Sequence, residues 1–219
     1  MNVNSEPPAE RTEDAEPTEA SGPGRSKHAE RSEATRAALV AAARPLFAER
    51  GFAGVGTEEI VRAAGVTRGA LYHQFRDKRE LFAAVFEQLE VELAQRVGEA
   101  AAASGATEPL AALRVGTGAW LDACTEPDVQ RIVLLDAPAV LGSLRAREIG
   151  LRNGIGLVEA ALQAAIDAGQ LAPQPVRPLA HVLVGAADEA ALYVATAEDQ
   201  VAARAEVGAV LDGLLRALA

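Results

Sequence analysis

Several side chains suited to polar contacts lie close together between positions 67 and 73, in the stretch TRGALYH. Thr67 carries a hydroxyl and a methyl group, and Arg68 carries a planar fork of N–H donors. Tyr72 and His73 add a phenolic hydroxyl and a ring N–H, while Gly69 lets a backbone approach closely. Such donors suit phosphate oxygens and the polar edges of nucleic-acid bases.

The residues around this cluster, from Thr57 to Phe75, predict two short helices that would present it. Thr57 and Thr67 are placed to cap the two helices, and Gly65 can adopt the left-handed conformation of the turn between them. Leu71 and Phe75 are four residues apart and would face inward. The stretch of about 56–75 therefore has the layout of a helix-turn-helix, whose second helix enters the major groove of DNA.

The remaining positions of the second helix would face outward, toward DNA. Tyr72 alone could equally be a half-buried packing residue and His73 a surface histidine, but their common face favours DNA contact. Lys78, near the start of the following helix, would lie beside the DNA backbone. The predicted DNA-binding residues are Thr57, Thr67, Arg68, Gly69, Tyr72, His73 and Lys78.

The distribution of charge agrees with this position for a DNA site. The whole chain of 219 residues has a net charge of −10. Residues 25–80 carry eleven bases and seven acids, a net charge of +4, whereas residues 1–24 and 81–219 are negative at −5 and −9. The segment that holds the helix-turn-helix is thus the one with net attraction for phosphate.

Residues 1–27 are rich in Glu, Pro, Ser and Gly and predict a disordered acidic tail. The basic end of this tail, Arg25 to Lys27, could be a solvated linker or an arm that touches DNA. The first confident helix is expected from Ser32, as its N-cap, to Arg50. Pro45 lies inside it, where the helix would either kink or have a separately held N-terminal half.

The composition predicts an all-α fold, because alanine and leucine dominate and aromatic residues make up 4%. Further helices are expected at 78–103, 107–124, 127–135, 142–169, 175–196 and 198–217, with a break from Ala137 to Gly142. No apolar run approaches the length that spans a bilayer. One cysteine, Cys124, allows no intramolecular disulfide, which together with the absence of a signal pattern predicts a cytoplasmic protein.

The ordered series GF, T…I…AAGVTRGALYHQF and DKRELF resembles the DNA-binding domain of TetR-type transcriptional repressors, over roughly Ser32 to Val85. The resemblance implies a three-helix DNA-binding domain (28–80) and a larger helical regulatory domain (81–219), about nine helices in all. It also implies that Thr67, Arg68 and Gly69 start the recognition helix and that Lys78 opens helix 4. Pro45 departs from the family pattern.

The family resemblance further implies a small-molecule pocket and a homodimer formed by the last two helices. Those helices are dense in alanine and glycine, which permits close packing, although the same face could be buried within one subunit. A dimer would read a palindromic operator in double-stranded DNA. The predicted ligand-binding residues are the rare polar and aromatic side chains of the helical core, Trp120, Asp122, Cys124 and Tyr193, with His181 as a further candidate.

Two other classes of protein were weighed. An enzyme would need a placed nucleophile or a metal cluster, and the sequence has no HExxH, GxSxG, phosphate-loop or CxxC pattern, so neither catalysis nor a cofactor is expected. A helical interaction module that has lost DNA binding is the second alternative. Effector identity, the regulated genes and the choice between repression and activation are not encoded in these patterns.

Overall fold

The structure, a computed structural model, describes Met1 and residues 27–218, and this part of the chain folds into nine helices and no strands. The all-α prediction is confirmed. Three helices form the N-terminal unit: α1 (Lys27–Arg50), α2 (Thr57–Ala63) and α3 (Arg68–Gln74). The remaining helices are α4 (Lys78–Ala103), α5 (Pro109–Ala123), α6 (127–141), α7 (Ser143–Asp167), α8 (Val176–Thr196) and α9 (Gln200–Arg216).

The helix α1 begins earlier than predicted. It starts at Lys27, so Ser32 is not its N-cap, and the hydroxyl of Ser32 instead accepts a hydrogen bond of 2.8 Å from Gln74 Nε2 of α3. The helix continues through Pro45, whose ring lies on the exposed side. Apart from Met1 and Lys27, the predicted acidic tail of residues 1–27 lies outside the described residues, as do Arg25 and Ser26 of the predicted basic arm.

The connection between α1 and α2 is held by aromatic packing. Gly51 ends α1 with φ +69°, and its N–H donates to the carbonyl of Phe47 at 2.8 Å. Phe52 then packs back on the helix, as predicted. Its ring centroid lies 6.0 Å from that of Phe47 and 5.4 Å from that of Phe82 on α4. Edge-to-face aromatic contacts of this kind fix ring orientation as well as burying area.

The segment α6 differs most from the sequence-based prediction. It comprises Pro127–Val129, a π-helical stretch Gln130–Asp136 and Ala137–Leu141, so the chain stays helical through the predicted break at Pro138. Proline lacks an N–H donor. Pro138 lies where π-helical hydrogen bonding changes to α-helical hydrogen bonding, so its missing donor coincides with the point where the hydrogen-bond pattern changes. The chain breaks only at Gly142, with φ +87°.

The helix α4 joins the two parts of the molecule. Its first half contributes Leu81, Phe82 and Leu89 to a core that includes Leu39 and Phe47 of α1, all buried. Its whole length packs against α5 and α7. A second, smaller cluster lies at the far end of the bundle, around Leu110, Leu162, Leu171, Ala180 and Leu215. The proposed domain boundary near residue 80 thus falls at the start of a continuous helix.

The helix α8 is long and apolar enough to cross a membrane by length and composition, with a mean hydropathy of 1.2 over an 18-residue window. The sequence-based statement that no such run exists is therefore wrong by this measure. Charged Asp188 and Glu189 interrupt the run, but its alanine, valine and leucine raise the mean hydropathy. Only 22% of the window is buried, and apolar helices in the cores or interfaces of proteins outside membranes meet the same criterion.

Candidate nucleic-acid interface and ligand cavity

The turn between α2 and α3 has the predicted geometry. Gly65 has φ +66°, and the N–H of Val66 donates to the carbonyl of Val61 at 3.0 Å. Thr67 caps α3 as predicted, with its hydroxyl oxygen accepting a 3.2 Å hydrogen bond from the N–H of Ala70. Thr57 does not cap α2, because it is the first helical residue and Gly56 occupies the cap position without a side-chain bond.

The two faces of α3 separate as the sequence predicts. Leu71 and Phe75 are buried and pack into the main core. The opposite face leaves Arg68, Tyr72 and His73 exposed, and Tyr72 keeps 45% of its surface accessible. Gly69 is also exposed on this face, with ample space around it. The result is a rigid, capped helix whose polar side is free to meet another molecule.

The side chain of Arg68 is held between two neighbours on this exposed face. Its Nη1 donates to Glu58 Oε1 of α2 at 3.2 Å. Its guanidinium carbon lies 5.6 Å from the ring centroid of Tyr72, within the range of a cation–π contact. The exposed face thus contains an acid, Glu58, that competes for the arginine with any anionic partner.

Lys78 serves first as a structural residue. It begins α4 after the N-cap Asp77, and its Nζ donates to the carbonyls of Phe52 and Val55 at 2.8 and 2.9 Å. The ammonium also lies 4.1 Å from the ring centroid of Phe52. Burial lowers the pKa of Lys78. Two of its three donors are therefore used inside the protein, and contact with DNA through the third stays a prediction.

A cavity of about 600 Å³ lies within the larger helical part, between α4, α5, α6, α7, α8 and α9. Most of its wall is alanine, leucine, valine and glycine. Trp120 of α5 lies at its edge and donates from Nε1 to the carbonyl of Ala187 at 3.4 Å. The charged residues in the wall are Glu90, Arg147, Asp188 and Glu189.

The two inner carboxyl groups of this cavity are unusual in their surroundings. Glu90 of α4 is 9% exposed, and desolvation together with the charge of Asp188 raises its pKa to about 7. Burial raises the pKa of Asp188 on α8 to about 6, although Arg147 Nη1 lies 3.8 Å from its Oδ2. The ligand-facing surface thus combines apolar walls with two acids whose ionisation is costly.

Of the residues predicted to bind a ligand, Trp120 lies in the cavity wall, and the ligand-binding role of the whole set stays a prediction. Asp122 lies on the outside of α5, where its Oδ1 pairs with Arg204 Nη2 at 2.8 Å. Cys124 is fully buried in the core outside the cavity, where desolvation raises its thiol pKa. Tyr193 is 52% exposed on α8. His181 is half-buried on α8, also outside the cavity wall.

Sequence reasoning missed Glu90 and Asp188, although a signal for both was present. Glu90 is four residues after Phe86 and three before Leu93, so it falls on the apolar stripe of α4. Asp188 is three residues before Ala191 and four after Val184 in an apolar helix. A charged residue in register with a buried stripe is rare and marks a functional site more often than a rare aromatic does.

Within residues 27–218, no group of three His, Cys, Asp or Glu side chains converges as a metal site would require.

Both the N-terminal and the C-terminal part of the chain match known proteins. Residues 39–85 match the model of bacterial regulatory proteins of the tetR family, and residues 110–218 match a tetracyclin repressor-like C-terminal domain. The crystal structure of a TetR-family transcriptional regulator from Pectobacterium atrosepticum is 37% identical and superposes with a TM-score of 0.76, covering 89% of this chain and 97% of that one.

Curated relatives give the same picture at lower similarity. The HTH-type transcriptional regulator CymR of Pseudomonas putida is 42% identical over 74 residues, which is 34% of this chain and only 36% of that protein. The Transposon Tn10 TetC protein of Escherichia coli is 25% identical over 189 residues, 86% of this chain and 94% of that protein. With the capped recognition helix and the helical C-terminal part, these matches show that the chain belongs to the TetR family of bacterial transcriptional regulators.

Proposed function

We propose that this protein is a ligand-responsive repressor that binds a palindromic operator as a homodimer in the cytoplasm. The observation that carries the proposal is the exposed polar face of α3, on a helix fixed by the Thr67 cap and by the buried Leu71 and Phe75. Arg68 at its start suits a base edge or a phosphate, and Tyr72 and His73 suit phosphate oxygens. Thr57, Gly69 and Lys78 complete the proposed contact set.

The exposed apolar side of α8 and α9 supports the proposed dimer. Val182 and Tyr193 on α8, and Val210 and Leu214 on α9, all expose more than half of their surface. Scattered exposed apolar side chains are ordinary, but a concentration of them on two adjacent helices marks an interaction surface. Two copies joined there would form a four-helix interface and hold their recognition helices about 34–36 Å apart, one turn of DNA.

The cavity supports the proposed response to a ligand. It has the size of sites that take drug-like molecules, and it is lined mainly by apolar side chains with a few polar groups. The segment α6 contributes Val133, Leu134 and Pro138 to its wall. The same segment carries Asp136, whose Oδ2 accepts a 2.7 Å hydrogen bond from the N–H of Phe52 between α1 and α2. A ligand that shifts α6 would therefore act directly on the DNA-binding unit.

The experiment that tests DNA recognition is footprinting of the upstream intergenic DNA, followed by fluorescence anisotropy on the protected sequence at two salt concentrations. A DNA reader loses affinity steeply with salt, whereas an interaction module that has lost DNA binding forms no such complex. Arg68→Ala is expected to weaken operator binding by about 1–3 kcal/mol without changing the melting temperature.

Arg177→Ala removes the same charge from the exposed start of α8 and is the matched control, expected to leave affinity close to that of the wild type. Equal losses in the two variants would place the recognition surface elsewhere. A protein whose operator complex no small molecule releases would be a constitutive repressor.

A further inference from the structure

We infer that the cavity takes an organic cation with an apolar body, with the carboxylates of Glu90 and Asp188 as its counter-charges. This inference rests on the proposed ligand response and names the chemical class of the ligand.

The side chain of Glu90 is largely buried, but its carboxylate oxygens keep access to the cavity space. Among the described residues, no backbone or side-chain group donates a hydrogen bond to it, although 91% of the residue surface is removed from solvent, as its 9% exposure shows. A largely desolvated carboxylate without a donor is costly to ionise, and this cost is reduced when a positive charge or a donor arrives. The position therefore favours a cationic ligand.

Asp188 faces the same cavity from α8, with 48% of its side chain exposed to solvent, and its ion pair with Arg147 is long. The distance from Arg147 Nη1 to Asp188 Oδ2 is 3.8 Å, long for a hydrogen-bonded pair. The guanidinium of Arg147 is partly exposed and also donates to the carbonyl of His181 at 3.5 Å. The charge of Asp188 in turn raises the pKa of Glu90, which shows that the two acids share one electrostatic environment.

The charged residues of the cavity wall favour a cationic ligand over an anionic one. Three acids, Glu90, Asp188 and Glu189, face one base, Arg147. An anion would meet repulsion from Glu90 and Asp188, and a neutral molecule without hydrogen-bond donors would leave Glu90 without a partner. A cation satisfies both acids. Trp120 adds an aromatic ring to the wall, and such rings also attract cations.

The space in front of Glu90 is created by a glycine. A methyl group added at Gly150 of α7 would lie 3.5 Å from Glu90 Oε1, in van der Waals contact with it. The absence of a side chain there leaves room for a ligand group beside the carboxylate. The surrounding wall is apolar, from Ala94 and Val97 of α4 to Leu183 and Leu211. The ligand body that fits this wall is hydrophobic, and the volume of about 600 Å³ accommodates a molecule of drug size.

Matched probes of different charge test the inference. Tetraphenylphosphonium and tetraphenylborate have nearly the same shape and opposite charges. For a slender body, 4-phenylbutyltrimethylammonium is compared with the neutral compound in which carbon replaces the nitrogen. Trp120 is the single tryptophan of the chain and lies in the cavity wall, so its fluorescence reports binding directly. Calorimetry gives the affinities, in the absence of DNA.

We expect at least one cation to bind at least tenfold more tightly than its anionic or neutral counterpart. Glu90→Gln and Asp188→Asn should each weaken binding of that cation by about tenfold, because each removes a charge-assisted contact, and should leave the neutral compound unaffected. Glu99→Gln, the same change at an exposed site of α4, is the control and should have no effect. Melting curves establish that each variant is folded.

Cations that do not bind at millimolar concentration, a neutral compound that binds as tightly as its cation, or unchanged cation affinity in both acid variants would overturn the inference. These outcomes are separate from failure of the proposed function. If the protein binds its operator but no cation, DNA recognition stands and the cation inference falls. If a cation binds at Glu90 but never releases DNA, the site stands and the proposed ligand response falls.

Discussion

Arg68 lies between Glu58 of α2 and the ring of Tyr72, so any phosphate or base edge that contacts it in the proposed operator complex has to replace Glu58 as its partner. Both side chains of the ion pair are largely exposed, and pairs of this kind contribute little to stability. The importance of Glu58 is therefore in binding, where its negative charge opposes the phosphate backbone. Its position in the first turn of α2 keeps it on the same surface as the recognition helix.

We expect Glu58→Gln to strengthen operator binding by about two- to fivefold, because it frees Arg68 and removes a charge that repels phosphate. Anisotropy titrations at low salt measure the effect, which should shrink as salt is added. Glu99→Gln makes the same change in net charge far from α3. An equal gain in that variant would show that net charge alone is responsible.

Glu90 gives a prediction of pH dependence. Its pKa is about 7 in the folded protein against an ordinary value of 4.5. Below 4.5 the carboxyl is protonated in both states. As the pH rises from there to about 7, the unfolded chain loses this proton first, so the free energy of unfolding falls. Glu90→Gln removes that loss.

The stability of Glu90→Gln relative to the wild type should therefore rise by about 2 kcal/mol from about pH 5 to about pH 8. Urea unfolding at both pH values measures it. The raised pKa of Asp188, about 6, also makes the free energy of unfolding fall as the pH rises, equally in the wild type and in the variant. The charge of Arg147 lowers that pKa and so reduces the effect in both proteins. A gain that is equal at the two pH values would show that folding does not raise the pKa of Glu90.

At the scale of the helices, α1 contains an avoidable defect. Pro45 lies in the interior of a helix of 24 residues and is exposed, so it removes a backbone donor without contributing packing. Pro45→Ala should raise the free energy of unfolding by about 1–3 kcal/mol, which denaturant titration measures. Pro109, in the first turn of α5, removes no needed donor. Pro109→Ala should bring no gain, and a similar gain from both would show that the position of Pro45 inside the helix is not the cause.

Local signals allowed some helices to be predicted well. The predicted limits of α4, 78–103, agree with the structure because Asp77 caps its start and Gly105, with φ +67°, follows its end. The region of α6 was not predictable in this way. Its continuity depends on π-helical bonding around Pro138, and the sequence pattern carries no mark of that register change. The start of α1 was missed because Ser32 is a good cap that the fold uses for a contact with Gln74.

The two functional surfaces differ in how much of them the sequence could reveal. The polar face of α3 follows from the spacing of Leu71 and Phe75, which is a property of one helix. The cavity wall comes from six helices, and whether a residue such as Cys124 or Tyr193 faces it depends on how those helices pack. Trp120 was chosen because it is a rare aromatic residue in a helical core, whereas Glu90 could have been chosen only by noticing that a charged residue falls on the apolar stripe of α4.

At the scale of the whole molecule, the proposed dimer face gives a direct prediction. Val210 of α9 is 60% exposed on that face, and Val91 of α4 is 48% exposed elsewhere. Val210→Glu should shift the protein toward monomer in sedimentation and weaken operator binding at least tenfold, because a charge is placed in an apolar contact. Val91→Glu carries the same added charge and should leave both properties unchanged. A dimer that persists in Val210→Glu would show that the interface does not lie on this face.

Three exposed leucines imply that ligand binding depends on the concentration of the protein itself. Leu157, Leu192 and Leu214 line the cavity and are also exposed, so the cavity wall is completed at the surface of the subunit. In the proposed dimer, the second copy would cover part of that opening. Ligand uptake and subunit association are then linked by mass action, and each must shift the equilibrium constant of the other by the same factor. The response of the protein would thus depend on its own concentration as well as on that of its effector.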